Sequence, residues 1–409
     1  MKLLYYADAR SPIAANWIRW FTEHGAEVHW VSSRSADRPP VEGLSSFVAL
    51  SAVPSQASWS RLAQGLRGSS LGLWLSNALR HWVLPVFLSQ KGQALAAEIS
   101  RVRPDLVHAM RLPMEGMVSA VALQGLPGGP PLVLSTWGND LSLHALASPA
   151  MAWRTRRTLA EVAALHADCV RDSRLALRWG MAGDRPILVA PGNGGVRRDI
   201  FHAGPADDRL LAGWGIPKGG LVVVNPRGIR SYARTDTFFR AIARVLPREP
   251  RVWVVAVGME GSPQAQGWMV RLRLGNRVRL LPALSAREMA GLLRSALITL
   301  SVTEHDGTPN SLLEAMACGS FPIAGDLESI REWIVDQENG LLVSPSDPEQ
   351  LAEAIFLALG DEALRKHSAV QNRRIIDERA DWVEVMPRAE SFYERVLQFS
   401  SHAGRGGTP

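Results

Sequence analysis

Hydrophobic positions occur in short runs, separated by longer stretches in which apolar residues recur every three or four positions. The short runs predict buried strands, and the longer stretches predict amphipathic helices. Strands that alternate with helices favour a parallel sheet with helices on both faces. The predicted strands are Lys2–Ala7, Ala26–Ser32, Phe47–Leu50, Asp105–Ala109, Pro131–Thr136, Asp168–Asp172, Pro186–Ala190, Leu221–Asn225, Arg251–Val257, Arg277–Leu281, Leu297–Val302, Phe321–Ala324 and Gly340–Val343.

The alternation runs through both halves of the chain, which predicts an α/β protein with two doubly wound domains. A loop-rich stretch at 192–205 and a glycine-rich turn at 217–220 lie between the halves. We therefore expect an N-terminal domain at 1–203 and a second domain at 204–380. A helix is expected at 381–400, and a disordered tail at 401–409. Sheets of this kind bind ligands at the carboxyl ends of their strands.

The composition of the 409 residues, 46% hydrophobic and 21% charged, is typical of a soluble globular protein. The N-terminus lacks the apolar run of a signal peptide, and no long apolar stretch is present, so we expect a cytoplasmic protein. Cys169 and Cys318 lie in apolar contexts and are predicted to be buried thiols. The net charge of +6, carried mostly by arginine, favours anionic ligands. No basic run or RNA-binding signature is visible, so no nucleic-acid partner is expected.

The stretch 301–324 carries the most chemistry. It leaves an apolar strand, passes through a polar loop and enters a helix predicted to begin at Asn310. Two carboxylates, Asp306 and Glu314, flank this helix start, where free N–H groups can bind a phosphate. The alternative is a capping box from Ser311 to Glu314, in which the glutamate only satisfies backbone N–H groups.

The order of residues from Asp306 to Ala324 resembles the donor-site motif of retaining glycosyltransferases of family four, E-G-x-P-x-x-x-L-E-A-M-A-x-G-x-P-V-I-A. Asp306 replaces the first glutamate, and Phe321-Pro322 stands where Pro-Val is common. The resemblance implies the GT-B fold, with two facing Rossmann-like domains, an interdomain cleft and a C-terminal helix that returns to the N-terminal domain. It also implies a nucleotide-diphosphate sugar as donor substrate, with no cofactor and no metal ion.

The resemblance assigns donor roles to individual residues. Arg227 would hold the diphosphate; the lysine usual a few residues later is missing, and Arg230 and Arg234 are nearby substitutes. Glu314 would accept hydrogen bonds from ribose, and Asp306 would contact the transferred sugar as the catalytic carboxylate. The remaining donor-binding candidates offer mainly backbone groups: Pro282, Gly307, Thr308, Pro309, Asn310, Ser311 and Leu312.

The resemblance also indicates residues on the acceptor side. His108 ends a predicted strand and could accept or relay a proton, although a hydrogen-bonded structural histidine is an equal alternative. Trp137 stands where the family commonly has histidine, and Asn139 and Asp140 follow it as acceptor-side candidates.

Residues 58–91 combine tryptophan, leucine and arginine. This composition suits a helix that lies peripherally on an anionic membrane. The alternative is a helix packed on the sheet with its arginines outside. If the membrane interpretation holds, the acceptor is a lipid-linked sugar.

The expected function is transfer of a sugar to a glycan, lipid-linked or other hydroxyl acceptor, as in polysaccharide biosynthesis. One alternative is a sugar-nucleotide epimerase, which shares the GT-B scaffold, and another is a non-catalytic nucleotide-sugar-binding subunit. A Rossmann dehydrogenase is disfavoured because no G-x-G-x-x-G follows an N-terminal strand.

Overall fold

The computed structural model describes residues 1–50 and 88–405, which form two compact units. The first unit contains residues 1–194 and the chain from Met386 onward, and the second contains Gly195–Val385. Most of the proposed membrane segment 58–91 lies outside the described residues, and its last four residues are helical.

The first unit is built on a seven-stranded parallel sheet in the order β3-β2-β1-β4-β5-β6-β7. Its central strands are buried on both faces, which explains why they are almost wholly apolar. The strands are β1 Lys2–Ala7, β2 Glu27–Ser32, β3 Leu44–Ala49, β4 Leu106–Ala109, β5 Leu132–Thr136, β6 Ala164–Ala167 and β7 Ile187–Val189.

Helices cover this sheet and connect its strands. The first begins with Ser11, whose hydroxyl accepts a hydrogen bond from the backbone N–H of Ala14, and with Pro12 at the first helical position. The helices are α1 Pro12–Glu23, α2 88–102, α3 Met117–Gln124, α4 Pro149–Glu161 and α5 Val170–Arg178, with π-helical turns at Leu112–Gly116 and Asp140–His144.

The second unit has a six-stranded parallel sheet in the order β10-β9-β8-β11-β12-β13. The chain reverses its direction across the sheet between β8 and β11, and such a switch point opens a crevice at the carboxyl ends of the strands. The strands are β8 Leu221–Asn225, β9 Val252–Val257, β10 Val278–Leu281, β11 Ile298–Ser301, β12 Phe321–Gly325 and β13 Leu341–Val343.

The helices of the second unit pack apolar faces against this sheet. A capping box of Ser285 and Glu288 begins α9. The helices are α6 Asp208–Gly213, α7 Thr235–Val245, α8 Pro263–Arg271, α9 Ala286–Ser295, α10 Asn310–Cys318, α11 Pro348–Gly360 and α12 Glu362–Arg379, with a 3₁₀ turn at Gly275–Arg277. The last helix, α13 Trp382–Arg405, runs from this unit into the first.

One predicted strand is wrong. The sixth strand is β6 at Ala164–Ala167, and the residues predicted as Asp168–Asp172 turn into α5. The carboxylate of Asp168 accepts a hydrogen bond from Gly138 N–H at 3.0 Å. Asp172 pairs with Arg171. These polar contacts belong to the loop beyond the strand and to the first turn of α5.

The units divide at Gly194 and Gly195, before the expected boundary at 203. Val196 explains this, because its N–H donates to the carbonyl of Ala380 at 2.7 Å and its carbonyl accepts from the N–H of Trp382 at 3.1 Å. The helix α13 continues to Arg405, so the first five residues of the expected disordered tail are helical, and the rest lies outside the described residues.

Both cysteines, Cys169 and Cys318, are free and buried, as predicted. Within residues 1–50 and 88–405, no helix is both long and apolar enough to cross a membrane.

Candidate active site

Two loops of the second unit meet at the carboxyl ends of β8 and β11, the switch point of the sheet. The N–H of Glu304 donates to the carbonyl of Tyr232 at 2.9 Å, which joins the loop after β11 to the loop after β8. This pairing brings together two predicted site residues, Arg227 and Asp306.

Arg227 and Asp306 form an ion pair in which the guanidinium Nη2 donates to the carboxylate Oδ2. Both side chains are only 14% exposed. The hydroxyl of Thr303 donates to the same carboxylate oxygen at 3.3 Å, and the N–H of Gly307 donates to Oδ1 at 3.2 Å. Because the pair is largely removed from water, either charge becomes costly if its partner leaves without a substitute.

The helix α10 begins next to this pair without a side-chain cap. Its N-cap residue is Pro309, and no capping box is formed, so the capping alternative for Glu314 is wrong. Within the part of the chain that the structure describes, the Oδ1 of Asn310, the Oγ of Ser311 and the Nε of Arg227 are buried without a hydrogen-bond partner. An anionic, hydroxyl-rich ligand bound at this helix N-terminus would supply hydrogen-bond partners for such buried groups.

Glu314 lies half-buried on α10, where the positive charge of Arg227 acts on its carboxyl group. Burial raises the pKa of this carboxyl to about 7, and the Arg227 guanidinium opposes the rise. The side chain is therefore divided between its neutral and ionised forms near neutral pH.

Glu314→Gln should change how stability depends on pH. The raised pKa means that folding becomes less favourable as pH rises from about 4.5 to about 7, because only the unfolded state has lost its proton there. The free energy of unfolding of the variant, relative to that of the wild type, should thus be higher at pH 8 than at pH 4.5 by up to about 3 kcal/mol. Urea unfolding at both pH values measures this. Glu353→Gln, at an exposed position on α11, should show no such pH-dependent difference.

Two residues that sequence reasoning missed hold the loop of Asp306 in place. The Ser329 hydroxyl donates to the carbonyl of Asp306 at 2.7 Å. The indole N–H of Trp333 donates to the hydroxyl of Thr308 at 3.0 Å. Both follow β12, and their contacts arise only from tertiary structure, so no local signal identified them.

The two substitutes for the missing lysine differ in their surroundings. Arg234 already bonds to the carboxylates of Asp236 and Glu304. Arg230 is exposed in the loop after β8. Arg230 therefore remains the candidate for a second cation at this site.

Pro282 lies exposed at the end of β10, where its carbonyl accepts a hydrogen bond from Gly258 N–H at 3.2 Å. Gly258 and Gly228 approach closely, since a Cβ on Gly258 would lie 3.6 Å from the Cα of Gly228. Both glycines have positive φ, so larger residues would strain the backbone. These contacts connect Pro282 to the loop that carries Arg227.

The acceptor-side candidates lie in the first unit. Asp140 is fully buried and accepts hydrogen bonds from Arg111 Nε at 3.1 Å and from the N–H groups of Leu112 and Trp137. Burial raises the pKa of Asp140 and Arg111 lowers it. This carboxylate anchors its own loop, which favours a structural role for Asp140 over contact with an acceptor. Trp137 and Asn139 are half-buried, and Arg111 contacts both.

His108 occupies β4 and is fully buried. Its Nδ1 shares a hydrogen bond with the Tyr393 hydroxyl at 2.5 Å, and its Nε2 shares one with the Ser135 hydroxyl at 2.7 Å. Burial, helped by the nearby His166, holds the pKa of His108 well below its ordinary value. Both ring nitrogens are occupied, which agrees with the structural alternative and not with proton transfer to a substrate.

His108→Ala should reduce stability without removing activity. It leaves a cavity and removes one hydrogen-bond partner from each of two buried hydroxyls, which costs about 2–4 kcal/mol in the free energy of unfolding. Urea unfolding checks the loss, and kcat measured well below the unfolding transition should stay near the wild-type value. An unchanged stability with a large loss of kcat would restore the catalytic role. His367→Ala, at an exposed position on α12, is the control.

One group of side chains among the described residues is compact enough to share a metal ion: Asp168, Cys169 and Asp172, all buried in the first unit. Arg171 donates to Asp172 at 2.9 Å and to the carbonyl of Gly138 at 2.6 Å. A guanidinium thus already neutralises charge in this group.

The two parallel sheets, with their switch points and covering helices, define a GT-B protein. The structure resembles that of HepE from Anabaena in complex with UDP and glucose, with a TM-score of 0.74 and 16% identity over 97% of this chain and 100% of that chain. The profile "Glycosyl transferases group 1" matches residues 207–374, and "Glycosyl transferase 4-like domain" matches residues 11–192. The chain belongs to the glycosyltransferase family that these two profiles describe, so the fold and the family inferred from the sequence are confirmed.

Curated relatives agree with the family assignment. The chain is 26% identical over 196 residues to D-inositol 3-phosphate glycosyltransferase from Streptomyces bingchenggensis, a match that covers 45% of this chain and 43% of the relative. It is 25% identical over 323 residues to D-inositol 3-phosphate glycosyltransferase 1 from Catenulispora acidiphila, covering 74% of each. The match to the Streptomyces protein thus spans less than half of that relative.

Proposed function

We propose that the chain is a retaining glycosyltransferase that moves a hexosyl or N-acetylhexosaminyl group from a nucleotide-diphosphate sugar to a hydroxyl acceptor. The observation that carries the proposal is the side-by-side placement of Arg227 and Asp306 at an uncapped helix start that also carries Glu314. HepE, which shares the fold, has been seen with UDP and glucose, a fact that agrees with such a donor.

The diphosphate would compete with Asp306 for Arg227. A diphosphate offers a guanidinium several oxygens in a geometry that suits its fork of N–H groups. Arg230 and the backbone N–H groups at the start of α10 would supply further positive potential. These groups stabilise the negative charge that develops on the leaving nucleotide, the task that a metal ion performs in other transferases.

If Arg227 bound the diphosphate instead of Asp306, the Asp306 carboxylate would become available to contact the sugar. A carboxylate beside the anomeric carbon stabilises the positive charge of an oxocarbenium-like transition state. Glu314 would accept hydrogen bonds from the ribose hydroxyls, and those bonds favour its ionised form.

The acceptor side of the proposal is a glycan or lipid-linked hydroxyl in polysaccharide assembly, with Trp137 and Asn139 near the acceptor. A lipid-linked acceptor would place the protein peripherally at an anionic membrane, with 58–91 as one contact. The half-buried indole of Trp137 next to the Arg111 guanidinium offers a surface on which a sugar ring can stack.

Turnover with and without acceptor tests this function. The protein is incubated with UDP-, GDP- and ADP-sugars, each alone and with glycan and lipid-linked acceptors, and the products are identified by NMR. The proposal expects acceptor-dependent transfer with retained anomeric configuration and only slow hydrolysis of the donor alone. Conversion of the donor sugar without acceptor would instead identify an epimerase, and an inverted linkage would contradict the retaining mechanism.

A further inference from the structure

Two helices of the first unit, α4 and α5, and the loop before them expose large apolar side chains. Leu146 is 68% exposed, Trp153 53%, Val170 49% and Leu177 42%. Exposed apolar residues that occur close together mark an interaction surface more often than singly scattered ones do.

The helices α4 and α5 are neighbours on one face of the sheet. The strands β4 to β7 follow one another in one direction, and right-handed crossovers place their connecting helices on the same side. The guanidinium of Arg156 on α4 lies 4.8 Å from the ring of Trp179, which directly follows α5. The exposed positions of α5 are Val170, Arg174, Leu177 and Arg178, which form one helical face.

Arginines surround these apolar groups. Arg154 and Arg157 lie over the ring of Trp153, at 5.5 and 5.4 Å. The acidic residues within α4, α5 and their connection are Glu161, Asp168 and Asp172, and only Glu161 is exposed. The surface is therefore cationic as well as partly apolar.

A cavity next to Trp153 continues this surface inward. Its walls include the side chains of Leu88 and Met117, while Arg154 and Arg157 stand among its lining residues. Apolar walls beside guanidinium groups suit an acyl chain whose phosphate remains near the protein surface.

We propose that the outward faces of α4 and α5 form a docking surface for a bilayer that contains anionic lipids. Arginines would bind the headgroup phosphates, while Trp153, Leu146 and Leu177 would enter the boundary between headgroups and acyl chains. A soluble polyanion would bind the arginines, but the exposed leucines would add nothing to its affinity. The proposal does not depend on the donor chemistry.

Vesicle flotation of the full chain, without donor substrate, tests the proposal. The protein is mixed at low salt with vesicles of phosphatidylcholine alone or of phosphatidylcholine with phosphatidylglycerol. Wild type should float with the anionic vesicles only. Two double variants are compared with it, Arg156→Glu with Arg178→Glu and Trp153→Ser with Leu177→Ser. Each should weaken partitioning about tenfold or more, since each basic residue and each buried apolar group contributes to binding.

The control changes an exposed arginine and an exposed apolar residue of the second unit, Arg287→Glu with Val270→Ser. This variant should float like wild type, and thermal unfolding should show that all variants are folded. Equal flotation of every variant, or absence of wild-type binding to anionic vesicles, would overturn the proposal. Binding lost only in the arginine variant would also overturn it, in favour of a surface for soluble polyanions.

Discussion

Arg227→Ala is expected to lower kcat/KM for the nucleotide sugar by about 10²–10³-fold, the usual cost of removing one group that stabilises a developing negative charge. The guanidinium is paired directly with Asp306, and it also influences the charge of Glu314. Its loss would therefore remove the proposed diphosphate contact and deprive a half-buried carboxylate of this positive charge. Initial rates over a range of donor concentrations give the effect.

A matched control for Arg227 exists in the same unit. Arg244 on α7 pairs with Glu349 at 2.9 Å on the surface. Arg244→Ala removes an arginine–carboxylate pair of the same type, and we expect kcat/KM to remain within about twofold, because exposed pairs contribute little. Equal effects of the two substitutions would mean that Arg227 acts through stability alone.

Asp306→Asn is expected to separate donor binding from chemistry. The amide no longer holds Arg227, so the affinity for a nucleoside diphosphate should stay the same or rise. The amide also carries no charge to stabilise the oxocarbenium-like state, so kcat should fall about 10²-fold or more. Calorimetric titration measures the affinity, and single-turnover kinetics measure the chemical step.

Two further substitutions control this experiment. Asp306→Glu keeps the charge and supplies the residue usual in the family, so kcat should recover to within about tenfold of wild type. Asp236→Asn removes another carboxylate paired with an arginine, Arg234, and should leave kcat near wild type. If Asp306→Asn also left kcat unchanged, the catalytic assignment of Asp306 would be incorrect.

The strands could be predicted because a buried parallel strand needs a continuous apolar run, and nearly every such run is a strand. The exception is informative. The segment around Asp168 alternates small, apolar and polar residues, so the end of the strand is not marked locally. The structure ends β6 at Ala167 because Asp168 is bonded to Gly138 in another loop.

The polar loop at Asp306 and the helix start at Asn310 could be predicted because they follow one another along the chain, where spacing carries the information. The ion pair between Arg227 and Asp306 could not, since it joins loops after two different strands. The same holds for Ser329 and Trp333, whose side chains position the backbone and hydroxyl of that loop.

The acceptor side was harder to predict because a polar residue at the end of a strand can face either solvent or another element. His108 meets Tyr393 from the last helix, and Asp140 meets Arg111 from the preceding loop. Neither partner lies close enough in the sequence for its spacing to predict the contact. Sequence patterns identify such residues as noteworthy, and only packing decides whether their role is structural.

The most direct test of the donor site is a thermal-unfolding comparison of wild type and Arg227→Ala with UDP, GDP, ADP and their sugar derivatives. A ligand that binds only the folded state adds about 2.7 kcal/mol of stability at one hundred times its Kd. The site described here predicts that at least one nucleoside diphosphate or its sugar raises the wild-type melting temperature, and that the rise disappears in Arg227→Ala. No stabilisation of wild type by any of these ligands, or equal stabilisation of both proteins, would contradict it.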